Sequence, residues 1–403
     1  MRTVAVIGGG AAGMMAAIEA ASCGACVHLF ERQARVGKKL SVTGNGRCNL
    51  SNTGLSPERY HGEDRAFVLP ALRFCGTEET LRRFREMGLL TVTEPGGRIY
   101  PLSDTAGSVV DVLRFSLDAV GVQLHAGCEV SEVKRTKGGF WIAAGETGIK
   151  AEKLIIACGG AAGEKVGGTN LGYRLLERFG HSVTPLRPSL VQLRTGDTLC
   201  RSLKGVRADA RVTVLRGGKT VAETAGEVQF VEYGLSGPAI FEVSRAALAG
   251  NDTVVELDLL RGYDESELLK LLRERCMTRP QLSCDDLFTG TVHNRLGRVL
   301  LKVAGVSGTA PISELTEQEL RKLSHACKAF RFEVTGDMGL PNAQVTAGGV
   351  RTDGFSPETM ESRLCPGLYA CGEVLDVDGD CGGFNLQWAW ASGALAGRSA
   401  AEA

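Results

Sequence analysis

The stretch Thr3 to Gly13, T-V-A-V-I-G-G-G-A-A-G, constrains this chain more than any other. Four apolar residues, Val4 to Ile7, run straight into three glycines, and a small-residue helical pattern follows from Ala11 to Ala21. A second apolar run, Cys26 to Phe30, leads into Glu31. Strand, tight turn, helix, strand and acid in this order form a dinucleotide fingerprint, with Gly8, Gly10 and Gly13 in the three glycine positions. Gly8 permits the turn, Gly10 lets the backbone approach a pyrophosphate, and Gly13 lets the helix pack closely on the strand. The helix start at Ala11, Ala12 and Gly13 offers N–H groups and a positive dipole end to phosphates. Glu31 is expected to accept hydrogen bonds from the adenosine ribose and to repel a 2′-phosphate. The ligand class is therefore FAD or NAD, not NADP.

The chain has 403 residues, enough for two or three domains. Lys+Arg and Asp+Glu both count 46, so no basic surplus points to nucleic acid or an anionic membrane. No stretch approaches the ~20 apolar residues of a membrane span. The first residues lack the long apolar region of a signal peptide, and a cytoplasmic location is expected. The 13 cysteines are then expected as buried thiols. Cys23 and Cys26 form a CxxC where the first helix should end, not at the helix N-terminus that a redox pair needs. With no second CxxC and no HExxH, no metal site is expected.

Arg32 to Asn52 is rich in Gly, Asn, Ser and basic residues and reads as a loop folded over the ligand. Its candidates are the glycines 37, 44 and 46 and the donors Lys38, Lys39, Asn45, Arg47 and Asn49. Two helices are expected within Glu63 to Met87, a hairpin over Thr91 to Pro101, and a helix from Ala106 to Ala119. The runs Gly121 to Arg135 and Phe140 to Lys150 read as a β-meander, and Lys153 to Cys158 as a buried strand. A helix is expected over Thr169 to Phe179. The spacing then predicts an α/β fold in three regions. Residues 1–186 and 346–403 form a split Rossmann-like domain, 187–260 and 328–345 an inserted β-rich domain, and 261–327 a helical subdomain. In the β-rich region, Tyr233 to Pro238 reads as a turn with a helix start.

The end of the chain repeats the opening logic. An apolar strand, Gly367 to Ala370, runs into Cys371-Gly372-Glu373, then three aspartates, the block Gly382 to Gln387, and a helix expected from Trp388 to about Ala401. This is the second half of a flavin site. Glu373 suits the ribityl or pyrophosphate end, and the N–H groups at the start of the last helix suit the N1–O2 edge of a reduced flavin. Asp376, Asp378 and Asp380 have the spacing of the first calcium ligands of an EF-hand, but Gln387 stands where its bidentate Glu belongs.

Several blocks together resemble the BaiN-type (YhiN-like) flavoprotein family over nearly the whole chain. They are V-I-G-G-G-A-A-G at 6–13, V-G-K-K-L-S-V-T-G-N-G-R-C-N-L-S-N at 36–52 and G-R-I-Y-P-L-S-D at 97–104. Further matches are A-C-G-G at 157–160, Y-G-L-S-G-P-A at 233–239, V-T-A-G-G-V at 345–350 and G-E-V-L-D-V-D-G-D-C-G-G-F-N-L-Q at 372–387. The resemblance implies bound FAD. Its residues here would be Gly8, Gly10, Ala11, Ala12, Gly13, Glu31 and Arg32 at the ADP end. Lys38, Lys39, Gly44, Asn45, Gly46, Arg47 and Cys48 would come from the long loop. Val130 would contact adenine through its backbone, beside Ala157 and Gly159. Gly372, Glu373, Asp376, Gly382, Gly383, Asn385 and Leu386 would complete the flavin end. Cys158 and Cys381 stand where the family often has Thr.

The resemblance further implies reduction of a C=C bond conjugated to a ketone, as in bile-acid or steroid-like enones. Hydride would pass from NAD(P)H through the flavin. No second nucleotide fingerprint exists, so a nicotinamide would bind transiently. Enone reduction also needs a proton donor or a carbonyl polariser, and Tyr100, Arg47 and Asn49 are the candidates. The partner is then a small, hydrophobic substrate. A flavin oxidase or dehydrogenase of another small molecule, a non-catalytic flavin redox sensor, and an RNA-modifying flavoprotein stay open.

Overall fold

The computed structural model describes residues 2–145, 147–196 and 198–403. It divides into two compact units, Met1–Pro188 with Leu340–Ala403, and Ser189–Gly339.

In the first unit, β1 (Thr3–Ile7), α1 (Ala11–Ser22) and β2 (Cys26–Glu31) come first. The segment after β2 is more structured than a loop: Leu40–Gly46 forms short 3-10 turns around a kink at Thr43 to Asn45, and buried Leu40 anchors it. Next are β3 (Ser51–Asn52), β4 (Tyr60–His61), α2 (Leu69–Phe74), α3 (Thr77–Glu86), β5 (Thr91–Thr93), β6 (Arg98–Pro101) and α4 (Ala106–Ala119). Then follow β7 (Gln123–Ala126), β8 (Val130–Thr136), β9 (Gly139–Ala144), β10 (Thr147–Ala151), β11 (Lys153–Ile156) and α5 (Leu171–Arg178).

The main sheet has the order formed by Leu368–Ala370, β11, β1, β2 and β7, all parallel. β1 is central. Val4 to Ile7 are buried because both faces are covered, which is why the run is apolar without alternation. The β-meander expected from Gly121 needs a correction. β7 pairs in parallel with β2 (His28↔Gln123), so it closes the main sheet, and only β8, β9 and β10 form the meander. The loop before β8 turns the chain back, because the Gly127 and Cys128 amides bond to the carbonyls of Gln33 and Glu31.

The second unit follows the strand β12 (Arg187–Ser189). It holds a closed six-stranded barrel of β13 (Leu193–Thr195), β14 (Arg207–Arg216), β15 (Lys219–Val231), β16 (Gly234–Ser236), β17 (Thr253–Asp258) and β18 (Phe330–Asp337). Alternating residues such as Val212, Val214, Val255, Leu257, Phe330 and Phe332 fill it. Gly234 to Ser236, expected as a turn, is a barrel strand, and Pro238 then opens a helix. A short helix (Leu199–Ser202) precedes β14, and Pro238–Ala247, Glu265–Thr278, Asn294–Ala304 and Glu317–Lys328 complete the helices of this unit. The last three share one apolar core with the barrel.

The chain returns to the first unit with β19 (Val345–Ala347), β20 (Leu368–Ala370) and β21 (Asp378–Gly379). A long helix, Phe384–Glu402, follows and starts one turn earlier than its sequence pattern suggests. This helix lies along α1 with almost no space between them. A Cβ on Gly393 would sit 2.4 Å from the Ala12 carbonyl oxygen, and one on Gly397 would sit 2.3 Å from that of Ala16. The small-residue composition of both helices is the condition for this approach.

Candidate active site

The three fingerprint glycines do different work. A Cβ on Gly8 would lie 2.4 Å from the Ala157 carbonyl oxygen, and one on Gly13 would lie 1.8 Å from that of Gly8. These two glycines pack the turn against β11 and the helix against the turn. Gly10 is different: its missing Cβ faces open space, and so does that of Gly159, whose φ is +71°. Gly10 begins α1, and no side chain caps that helix start. The N–H groups of the first turn at Ala11, Ala12 and Gly13 have no intrahelical partner by construction. An uncapped helix start beside open space is a cradle for an anion.

Glu31 is pinned at the end of β2. One carboxylate oxygen accepts the Gly9 N–H at 2.8 Å and the other accepts the Gln33 N–H at 2.7 Å. Each oxygen keeps further acceptor capacity in a fixed direction. Arg32 is turned away to the carbonyls of Gly167 and Gly168, both at 3.0 Å. Lys38 is exposed and donates to Gln33 at 3.1 Å. Lys39 and Glu373 pair with each other at 2.8 Å, and Glu373 also accepts the Thr346 N–H at 2.9 Å. A Cβ on Gly160 would fall 2.4 Å from Thr346 Oγ1 and 2.6 Å from the Glu373 carboxylate, so glycine leaves both in place. Gly372 has φ +76°, and its N–H donates to Ser392 Oγ.

Val130 opens β8 at a bulge, where the register shifts between Val130 and Glu132, and lines a cavity of about 450 Å³ with Ser131 and Leu171. Ala157 extends the β11 ladder through its N–H to the Ile7 carbonyl. Cys158 points its thiol at the same carbonyl, and burial pushes it up to about 12. Cys48 is fully buried and likewise pushed up to about 12 by burial. These two thiols are packing groups.

The flavin-end candidates gather at the start of the last helix. Gly382 and Gly383 have φ values of +131° and +104°. The Asn385 side chain spans the Gly379 N–H and carbonyl at 2.8 Å each, which holds the turn before the helix. No side chain caps the helix start next to Leu386. Gln387 is fully engaged, by Ser51 Oγ, the Cys75 carbonyl and Thr80 Oγ1. Two of the three aspartates make contacts within this end of the chain's fold. Asp376 accepts the Glu63 N–H, and Asp380 pairs with His61 at 2.7 Å and with Arg59.

Of the three candidates for proton chemistry, Arg47 has partners of its own. Its guanidinium is held by Glu94 at 2.6 Å and by Asp104. It lies over the Tyr100 ring, 4.1 Å from the centroid. Burial raises the Tyr100 phenol, and the Arg98 and Arg47 cations oppose that rise. On the same face of the β5–β6 hairpin, Val92 stands opposite Tyr100, with Leu90 and Leu102 one pair further along. All three of these apolar side chains are exposed. Gly44 and Asn45 adopt φ near +57°, and a Cβ on Gly44 would lie 3.6 Å from the Tyr100 ring. Gly46 also has a positive φ, with open space beside it. Asn49 sits between Gly44 and Gly383, and its buried Oδ1 meets no donor among the described residues. Leaving such an acceptor unmet costs about 1–3 kcal/mol.

The residues that sequence reasoning missed are the partners. Glu94, Asp104, Thr346 and Ser392 orient the candidates from distant parts of the chain. Asp104 and Thr346 lay inside matched blocks, at 97–104 and 345–350, while Glu94 and Ser392 lay outside them.

The sequence profile described as HI0933-like protein Rossmann domain matches residues 2–399. Over 408 residues the chain is 40% identical to the 3-dehydro-bile acid delta(4,6)-reductase of Clostridium scindens, covering 100% of both. It is 30% identical over 390 residues to the ribosomal RNA dihydrouridine synthase of Escherichia coli, covering 96% of this chain and 95% of that one. Among solved structures, the 3-ketosteroid-delta4-(5alpha)-dehydrogenase of Rhodococcus jostii RHA1 aligns with a TM-score of 0.50 at 15% identity, over 99% of this chain and 96% of that one. This last likeness is one of fold.

Proposed function

The chain belongs to the HI0933-like Rossmann family, and from that premise we propose an FAD-dependent reductase of C=C bonds conjugated to a carbonyl, acting on an apolar, steroid-like enone. The observation that carries this reading is the full-length 40% identity to a bile-acid reductase. The open space at Gly10 and Gly159 and the two uncapped helix starts fit a bound dinucleotide. FAD, when bound, supplies hydride transfer.

The chain's own residues supply the rest. Ala11, Ala12 and Gly13 would hold the pyrophosphate, and Glu31 would orient the ribose. Glu373 and Asp376 would hold the ribityl end. The helix start after Gly383 would favour negative charge at the flavin's N1–O2 edge. Tyr100, its ring fixed by Arg47, would polarise the substrate carbonyl or deliver the proton that accompanies the hydride. The exposed Leu90, Val92 and Leu102 beside it suit an apolar ring system. NADH or NADPH would serve as a transient electron donor.

The test is anaerobic. NADH or NADPH should bleach the flavin absorbance, and a 3-oxo-4-ene steroid should restore it. Failure of both nicotinamides to bleach the flavin rejects the reductase reading. The relationship to a ribosomal RNA dihydrouridine synthase supports a second substrate class, since the uracil C5=C6 bond is also conjugated to a carbonyl. The balance of 46 basic and 46 acidic residues favours the small molecule over a polyanion. Flavin reoxidation by ribosomal RNA, with none by the steroid, would reverse that preference.

A further inference from the structure

Tyr100 shares its sheet face with a second arginine. β6 runs between β3 and β5, and strand alternation puts Arg98 and Tyr100 on the same side, about 7 Å apart. Val92 of β5 stands beside Tyr100, and Asn52 of β3 stands beside Arg98. Asn52 donates from Nδ2 to the Gly382 carbonyl at 2.9 Å, so this end of the face borders the glycine turn before the last helix. The other end opens to solvent at the exposed Val92, Leu90 and Leu102. The two arginines differ in their partners. Arg47 is tied to Glu94 and Asp104. Arg98 is part-buried, and its guanidinium makes no ion pair or hydrogen bond among the described residues. Burial raises the Tyr100 phenol, and Arg98 opposes that rise more than Arg47 does.

Enone reduction creates a negative charge that such a cation can meet. Hydride arriving at the β-carbon forms a C–H bond and pushes the C=C electron pair towards the carbonyl, whose oxygen becomes an enolate oxyanion. A proton then joins the α-carbon and the C=O bond re-forms. The hydride comes from the reduced flavin, and its electrons from NAD(P)H, as in the reading above. A guanidinium presents several N–H donors in a fixed plane and keeps its charge at any working pH. Donors aimed at a developing charge lower the barrier to forming it. Resting on the reductase reading, we propose that Arg98 holds the substrate's carbonyl oxygen and stabilises this enolate, while the neighbouring Tyr100 delivers the proton to the α-carbon. The apolar body of the substrate then extends over Val92, Leu90 and Leu102.

The experiment separates the two half-reactions. In Arg98→Met, NADH or NADPH should bleach the flavin within about threefold of the wild-type rate. Reoxidation of the bleached flavin by a 3-oxo-4-ene steroid should slow about 100-fold or more, the scale of one lost oxyanion donor. Added guanidinium ion should restore part of that rate, and Arg98→Lys should retain more of it than Arg98→Met. Reoxidation within about threefold of the wild type overturns the assignment. So does an equal slowing of both half-reactions, which would make Arg98 part of the flavin site alone. Should Arg98→Met not fold, the wild type gives the answer with a steroid whose A ring is a phenol, a stable mimic of the enolate. It should bind as the phenolate at a pH at least about one unit below the ~10 of a free phenol. Binding only as the neutral phenol overturns the proposal. A wild type that a nicotinamide bleaches but no enone reoxidises rejects the reductase reading itself, an outcome distinct from these.

Discussion

The guanidinium of Arg47 lies over the ring of Tyr100 and is fixed there by the carboxylates of Glu94 and Asp104. The arginine thereby holds a phenol in place. Tyr100→Phe should lower enone turnover by about 100-fold or more, the usual scale for a lost proton donor, with the flavin spectrum unchanged. The Arg47 cation draws the Tyr100 pKa down against burial. In Arg47→Met that pKa rises further, so the alkaline limb of the pH–rate profile should move to higher pH. A limb that stays in place rules out Tyr100 as the titrating donor.

Gly10 and Gly13 should respond in opposite ways. A Cβ at Gly10 has no protein atom within 4 Å, so Gly10→Val should give a folded but colourless protein with near-normal urea stability. Gly13→Ala drives a methyl into the Gly8 carbonyl and should destabilise the apoprotein by about 3 kcal/mol or more. Retained yellow colour in Gly10→Val would move the pyrophosphate elsewhere.

Glu19 is buried on α1 and bonds to Arg83 on α3 and, at 3.3 Å, to Arg398 on the last helix. Three elements meet on one carboxylate. Glu19→Ala leaves Arg83 short of its main partner, since Glu79 alone remains, and should cost about 3 kcal/mol in urea unfolding. A loss below about 1 kcal/mol would show that water replaces the carboxylate.

His28 and His125 touch at 3.1 Å on β2 and β7, and His125 stacks on Phe30. Burial lowers both pKa values, and the charge of His125 lowers that of His28 further. The folded chain therefore binds these protons less readily than the unfolded chain. Their contribution to stability is present above the unfolded value of about 6.5 and is lost as pH falls through it. His125→Phe keeps the stacking and removes the titration. Its stability should vary less than that of the wild type between about pH 7 and pH 5, as read from urea midpoints.

Local chemistry was legible in the sequence wherever one short segment decided the outcome. Gly8, Gly10 and Gly13 with Glu31 announce the turn because their spacing alone, within one strand–turn–helix–strand segment, carries the pattern. The helix Ala106–Ala119 was readable to the residue from its apolar period. Pairing between distant segments was not. β7 has the length and composition of a meander strand, and nothing in Gln123 to Ala126 says that its neighbour is β2. Arg47 reads as a phosphate ligand because its partners, Glu94 and Asp104, lie 47 and 57 positions away. Glu373 reads as a free acid for the same reason, since Lys39 lies 334 positions before it.

The contact of Gly393 and Gly397 with the carbonyls of Ala12 and Ala16 sets a timetable for biosynthesis. The ribosome makes α1 before the second unit and its partner helix after it. Throughout that interval the small-residue face of α1 has nothing to lie against, and the nascent chain must be kept from pairing wrongly. Chains arrested before Phe384 should therefore not retain FAD.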